Sequence, residues 1–393
     1  MLDLSPRDGA ASAIAGPRQL AASAPIRTAV SGTQIAIPIL TVEITGDLAL
    51  GAALVAVALV PSIVAAPLAG ALLDRARRPR ALLIAAAAGM AVAYGIAAAL
   101  GPVPVWAVAA ALAVSGLLTP FGFGGLSSFV APPGSDARRA YALDALSYNV
   151  GGVAGPAIVA ALAPTLGARW ALAAMAVIAL VSLAAYPLLP MRPRDAKHPG
   201  LLRSMGAGIT AMVVHRRLAV VTISGTLAEL GRGIMPIAAI GIALLATGDA
   251  SLSALIVAGY AVGALIGAVI EPLRRRTLSA HATLGIGYAL VGLATLAAAI
   301  DLGIGWTVAL IALSGLCSAA PTAAMLLLRR DESPAEVVAQ VFTMGAALRT
   351  TASAAGTALA GALAGLDPLL MLALSGGIWL LSAAAMLAFP RGR

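Results

Sequence analysis

Long, nearly uncharged apolar runs separated by short basic segments constrain this chain more than any other feature. The hydrocarbon core of a bilayer is about 30 Å thick, and a helix needs about 20 apolar residues to cross it. Within lipid the backbone must satisfy its own hydrogen bonds, which leaves helices and closed barrels. A barrel would show alternating segments of about 10 residues. The runs here are solid and rich in Ala, Leu, Val and Gly, so they read as helices. Of 393 residues, 61% are hydrophobic and only 10% charged, too little charge to cover a soluble domain of this length. The chain is expected to be an all-α membrane protein.

The runs predict twelve transmembrane helices, at about 20–46, 49–73, 80–100, 103–131, 140–165, 168–190, 217–247, 251–272, 279–300, 303–328, 337–365 and 368–389. They divide into an N-terminal six-helix bundle over 1–190, a polar cytoplasmic central loop over 191–216, and a C-terminal six-helix bundle over 217–393. An even number of spans puts both termini on one side. With the N-terminus in the cytoplasm, 22 of the 25 Lys and Arg residues fall on the inner side, Arg27 counted among them. Arg169 alone falls outside, while Arg232 and Arg349 fall within spans. Trp106, Trp170 and Trp306 open helices at the outer face, as an interfacial aromatic belt would.

Other function classes fall away on composition. The start, MLDLSPRDGAASAIAGPRQ, lacks the basic beginning and apolar core of a cleavable signal. The single cysteine, Cys317, allows no internal disulfide. The net charge of +9 is dispersed among short loops between spans, which argues against a nucleic-acid partner. His198, His215 and His281 lack metal-ligand spacing, so no metal is expected. There is no Walker loop for ATP and no place for soluble catalytic machinery, so neither a cofactor nor enzyme activity is expected.

The chain also repeats itself near half its length. Thr45-Gly46-Asp47 returns as Thr247-Gly248-Asp249, and Gly70-Ala71-x-x-Asp74-x-x-Arg77-Arg78 as Gly267-Ala268-x-x-Glu271-x-x-Arg274-Arg275. Trp106 with Ser115-Gly116-Leu117 answers to Trp306 with Ser314-Gly315-Leu316, and Ala154-Gly155 to Ala355-Gly356. Four matches in one order, at offsets between 197 and 202, indicate two related halves. Six helices per half give both halves the same orientation, the two-bundle plan of alternating-access transporters.

Two six-helix halves, a longer central loop, and Gly70-x-Leu72-x-Asp74-Arg75-x-x-Arg78 together resemble the major facilitator superfamily. The likeness spans essentially the whole chain, with Arg77 where the family usually has glycine and Pro79 where it has a base. Gly151-x-x-x-Gly155-Pro156 resembles the motif of the family's exporters, with Val159 and Ala160 in place of its trailing glycines. PILTVEITGD in the first helix looks like the drug- and metabolite-efflux branch. The resemblance implies a gating loop, with Gly70, Asp74, Arg75 and Arg78 latching the cytoplasmic side. Asp74 would accept bonds from the N-terminus of the helix over 337–365, whose dipole favours an anion. Arg75 and Arg78 would pair with acids such as Asp136 or Asp144. The alternative is that these arginines only enforce topology.

Ionisable groups inside a span cost about 2.5–3.5 kcal/mol each on insertion scales and are functional candidates by default. Glu229, Arg232 and Arg349 are three such groups, with Glu229 and Arg349 both near the midplane. They form either a structural ion-pair cluster or a substrate or proton site. Glu229 is the one acid expected near mid-membrane, and two adjacent arginines would favour its charged form. That weakens it as a proton carrier unless substrate displaces them, so proton coupling is left open without support from the sequence. Gln34, Tyr148, Asn149 and Gln340 are uncharged candidates for substrate contact, each with inter-helix bonding as the alternative.

The function expected is secondary active transport of a small organic molecule across the cell (inner or plasma) membrane by alternating access, in the direction of export. The expected partners are that substrate, the lipid bilayer and, as an open possibility, protons; the protein is expected to be a monomer. Import of a small solute, or sensing on the same fold, are the alternatives. A sensor would carry a sizeable soluble extension, and the longest polar segment here is the central one. Aromatic residues make up only 4% of the chain and leave little stacking surface for a sugar or planar drug.

Overall fold

The computed structural model describes residues 6–130, 136–189, 191, 201–247, 253–273, 278–363 and 365–390. Lys197, His198, Gly248, Asp249 and Arg274 to Arg276, all used above, lie outside the described residues. The chain is all-helical: α1 (Pro6–Thr45), α2 (Leu48–Arg75), α3 (Pro79–Ala98), α4 (Val105–Pro120), α5 (Ala137–Leu166), α6 (Ala168–Ala185), α7 (Leu201–Val214), α8 (Arg216–Thr247), α9 (Ser253–Ile270), α10 (Ala280–Ala298), α11 (Ile304–Glu332), α12 (Val338–Ala362) and α13 (Pro368–Ala385).

Helix α7 was not expected, because it lies within the predicted polar loop over 191–216. Leu201, Met205, Ile209 and Met212 recur at helical spacing there, a stripe that the charged residues before it obscured. Among the described residues, ten helices are long and apolar enough to cross a membrane. Helices α1 and α12 are not in that set, and they carry the polar residues Arg27, Thr33 and Gln34 and, on α12, Gln340, Arg349 and Ser353. Large apolar side chains cover the outer surface, among them Val64, Val181 and Leu245, as a lipid solvent allows.

The chain divides into two compact units, residues 1–209 with 334–347, and 210–333 with 348–393. In the first, α1 packs on α5 and α6, α3 on α4 and α6, and α2 on α4, around Ile26, Leu40, Met90, Leu112 and Met175. In the second, α8 packs on α13, α10 on α11 and α13, and α9 on α11, around Ile234, Ile242, Ile311 and Met371. Four of the five pairings of the first unit recur, with α8 in the place of α1, α9 of α2, and so on to α13 of α6.

The repeated glycines explain why. A side chain on Gly155 would lie 2.5 Å from the backbone of Gly32, so α5 and α1 touch backbone to backbone there. A side chain on Gly356 would overlap Leu230 O and crowd the Gly233 Cα, which brings α12 against α8 in the same way. Both members of this pair are offset by 201 residues, Gly32 to Gly233 and Gly155 to Gly356. Close approach by small residues replaces hydrophobic burial as the adhesive between helices in lipid.

A direct check compares two alanines on α12. Gly356→Ala forces the helices apart and should lower the melting temperature of the purified protein by several degrees. Gly361→Ala, with open space around its Cβ, should leave it unchanged or raise it slightly, because alanine is the better helix former.

Candidate functional site

Three charged or polar arrangements emerge, one in the second unit and two in the first. In the second unit, Glu229 and Arg232 lie three residues apart on α8 and so share a face. Glu229 Oε2 accepts from Arg232 Nε at 2.5 Å. Its Oε1 accepts from Arg349 Nε on α12 at 2.9 Å and from Arg349 Nη2 as well. Two guanidinium groups therefore converge on one carboxylate. Glu229 is almost fully buried, whereas the Arg232 side chain is 43% exposed. The three intramembrane charges picked from the sequence thus form one cluster.

In the first unit, Arg27 on α1 is buried against α5 at the start of the glycine contact. Its Nη1 lies 2.9 Å from Asp144 Oδ1. Nη1 also donates to the Asp144 carbonyl and to Ser147 Oγ, and Nη2 to Ser127 Oγ at 2.9 Å. Ser127 in turn donates to Asp144 Oδ2 at 2.6 Å. The guanidinium sits 3.5 Å from the centre of the Tyr148 ring.

Three expectations change here. Arg27 is not an inner-face topology charge but a buried member of an ion pair. Asp144 is not a partner for Arg75 or Arg78, because Arg27 already holds it. Asp144 lies within the predicted span 140–165, near its start rather than at mid-membrane. Tyr148 spends its ring on Arg27, and its hydroxyl lies 3.2 Å from Ser127 Oγ. Sequence reading missed Arg27 and Asp144 because each sits near a predicted helix end, where a charge looks solvated. The signal was available in Ser127, Ser147 and Tyr148, polar residues spaced to face the same point.

The remaining candidates are more scattered. Asn149 Nδ2 donates to the Ala145 carbonyl one turn back on its own helix. Gln34 is half-buried on α1 with no hydrogen-bond partner among the described residues. Gln340 is fully buried, its Oε1 accepting from Gly208 N at 3.0 Å, so it is not placed to meet a substrate. Gly151, like Gly155, faces α1, with its missing Cβ position against Arg27 and Thr28. Pro156 follows on α5.

The third arrangement is at the end of α2. Asp74 is fully buried, and its two carboxylate oxygens accept from Ala339 N at 2.9 Å and Gln340 N at 3.1 Å. Both N–H groups lie in the first turn of α12, where the helix dipole also favours an anion. Gly70, one turn earlier, must lack a side chain because a Cβ there would overlap Gln340. After Pro120, α4 runs on as a π-helical turn, Phe121–Gly125, and Gly124 closes on the Phe342 backbone. Tyr141 stacks on the Phe342 ring at 5.8 Å. Arg75 ends α2 and Arg78 caps α3; Arg78 forms no ion pair among the described residues.

An all-helical chain with ten membrane-length helices, buried ion pairs and a carboxylate-held helix start has the build of a multi-pass membrane transporter. The Major Facilitator Superfamily model matches residues 20–277, and the chain belongs to that family of transporters. No curated protein matches the sequence. The fold is shared with a bacterial homologue of the iron transporter ferroportin in its outward-facing state, at 16% identity and TM-score 0.74, covering 95% of this chain and 99% of that one. It is shared with the human organic anion transporter MFSD10 (TETRAN), at 15% identity and TM-score 0.71, covering 94% and 99%. It is also shared with the superfamily transporter FucP in the outward conformation, at 17% identity and TM-score 0.71, covering 94% and 98%.

Removing one partner of a buried pair costs about 3–5 kcal/mol because the other charge stays behind. Glu229→Gln should therefore lower the melting temperature markedly, and Glu229→Gln with Arg349→Gln should recover most of the loss. Thermal unfolding of the purified single and double variants checks this.

Proposed function

We propose that the protein is a secondary active transporter that exports a small organic molecule by alternating access. In this reading twelve helices span the cell membrane as two six-helix bundles with both termini in the cytoplasm, and the working unit is a monomer. The observation that carries it is the double engagement of α12. Its first turn is gripped by Asp74, and Arg349, nine residues after Gln340 and about 13 Å along the helix, binds Glu229. Release of the Asp74 grip on the start of α12 would then be the step that lets the cytoplasmic side open.

Export is supported by the likeness of Gly151, Gly155 and Pro156 to the exporter motif, whose glycines here set the α1–α5 contact. Cargo does not follow from the fold, since the structural relatives are named for cargoes as different as iron and organic anions. Protons as a coupling ion stay with Glu229, the carboxylate that a displaced arginine would leave to titrate.

Two experiments test this. In proteoliposomes, Asp74→Asn should cut transport at least tenfold while expression and insertion stay near wild type; unchanged transport would reduce the segment to a topology signal. In a Cys317→Ala background, membrane-impermeant maleimide applied to whole cells should modify Asp367→Cys and spare Lys197→Cys. Labelling of Lys197→Cys from outside would sink the proposed orientation.

A further inference from the structure

We propose that the cargo is a small anion, captured through a carboxylate or phosphate group by Arg232; this rests on the transporter reading above. The two guanidinium groups of the α8–α12 cluster are not equally occupied. Arg349 grips Glu229 through both Nε and Nη2. Arg232 offers the same carboxylate only its Nε. Its Nη2 reaches Ser353 Oγ at 3.4 Å, a long contact, and Nη1 has no hydrogen-bond partner among the described residues. A guanidinium carries five N–H donors in a fixed fork, and an oxyanion takes two of them from one edge. On Arg232 the Nε side is used, and the Nη1–Nη2 edge is open.

Position and surroundings favour the same occupant. Arg232 lies midway along α8, yet its side chain is 43% exposed, so the open edge can be reached. Beside it is a small cavity of about 10 Å³, room for roughly one water, walled by Tyr260, Thr295, Ser314, Ser375 and Trp379. Met235 and Ile311 complete a lining that holds hydroxyls and an indole but no carboxylate. Ser353, on the open edge, has a hydroxyl that can turn to donate to an anion. With two arginines and one glutamate, the cluster carries an uncompensated positive charge, which an incoming anion neutralises and a cation would be repelled by. An anion seated there weakens the Arg232–Glu229 contact and leaves Glu229 to Arg349 alone. Arg27 shows the opposite arrangement, with both of its Nη atoms taken by Asp144, Ser127 and Ser147.

The test uses purified full-length protein in detergent. Thermal unfolding is followed while benzoate, hexanoate and phenyl phosphate are titrated against neutral benzamide and hexanamide and against the cation benzylamine. Expected is a saturable rise in melting temperature with the anions only. Arg232→Gln, which leaves the Glu229–Arg349 pair intact and should fold, should weaken that response at least tenfold, and Arg232→Lys should restore part of it. Equal stabilisation by the amides, an unchanged response in Arg232→Gln, or no response to any anion overturns the proposal. Stabilisation by phosphatidylglycerol alone would also overturn it, marking a lipid site rather than a cargo site. Counterflow in proteoliposomes separates the two readings. Anion binding at Arg232 without flux of any solute would remove the transporter reading and leave the anion site. Flux of neutral or cationic solutes with no anion flux would keep the transporter and remove the anion.

Discussion

A charge on a lipid-embedded helix cannot stay without a partner, and the inner architecture of this protein follows from where its few buried charges find theirs. Insertion penalties of about 2.5–3.5 kcal/mol per group mean that an arginine inside a span must be matched by geometry. Here the matches are made across helix contacts that glycines bring close. Arg27 and Asp144 join α1 to α5 beside Gly151 and Gly155. Glu229 and Arg349 join α8 to α12 beside Gly233 and Gly356. The glycines bring the backbones close enough for side chains to meet, and the ion pairs hold one register out of those that small residues would permit.

The repeat gives the two pairs equivalent places and opposite polarity. In the first unit the base is on the earlier helix and the acid on the later; in the second the order is reversed. They also differ in access. Arg27 is enclosed by two serines, a carbonyl, a carboxylate and an aromatic face. The second cluster adds Arg232, a guanidinium that its single carboxylate does not saturate. A pair sealed in the packing rigidifies, and a guanidinium with an accessible edge retains donors for a ligand. On this account the first pair is a fastening and the second a site. Asp74 is a third solution, with backbone N–H groups in place of a cation.

Much of this was legible in the chain. Apolar runs gave the helices because lipid permits little else, and Glu229, Arg232 and Arg349 stood out against so apolar a background. Asp74 was assigned to a helix N-terminus by the family resemblance, and topology alone does not call for an acid there. Arg27 and Asp144 were illegible for the converse reason: each lies within reach of loop residues in sequence, and only the packing shows them buried. The helical character of residues 201–214 was hidden by the polar residues before it. Tyr148 and Asn149 were read as substrate candidates on polarity, a property that inter-helix and intrahelical bonds use equally well.

The division between a fastening and a site is tested most directly by removing the first pair whole. Melting temperature and proteoliposome transport would be measured on Arg27→Gln, Asp144→Asn and the double variant. The account predicts that each single change destabilises strongly, while the double recovers most of the melting temperature and still transports. A double variant with wild-type stability and no transport would show that Arg27 and Asp144 are part of the working site, and would contradict it.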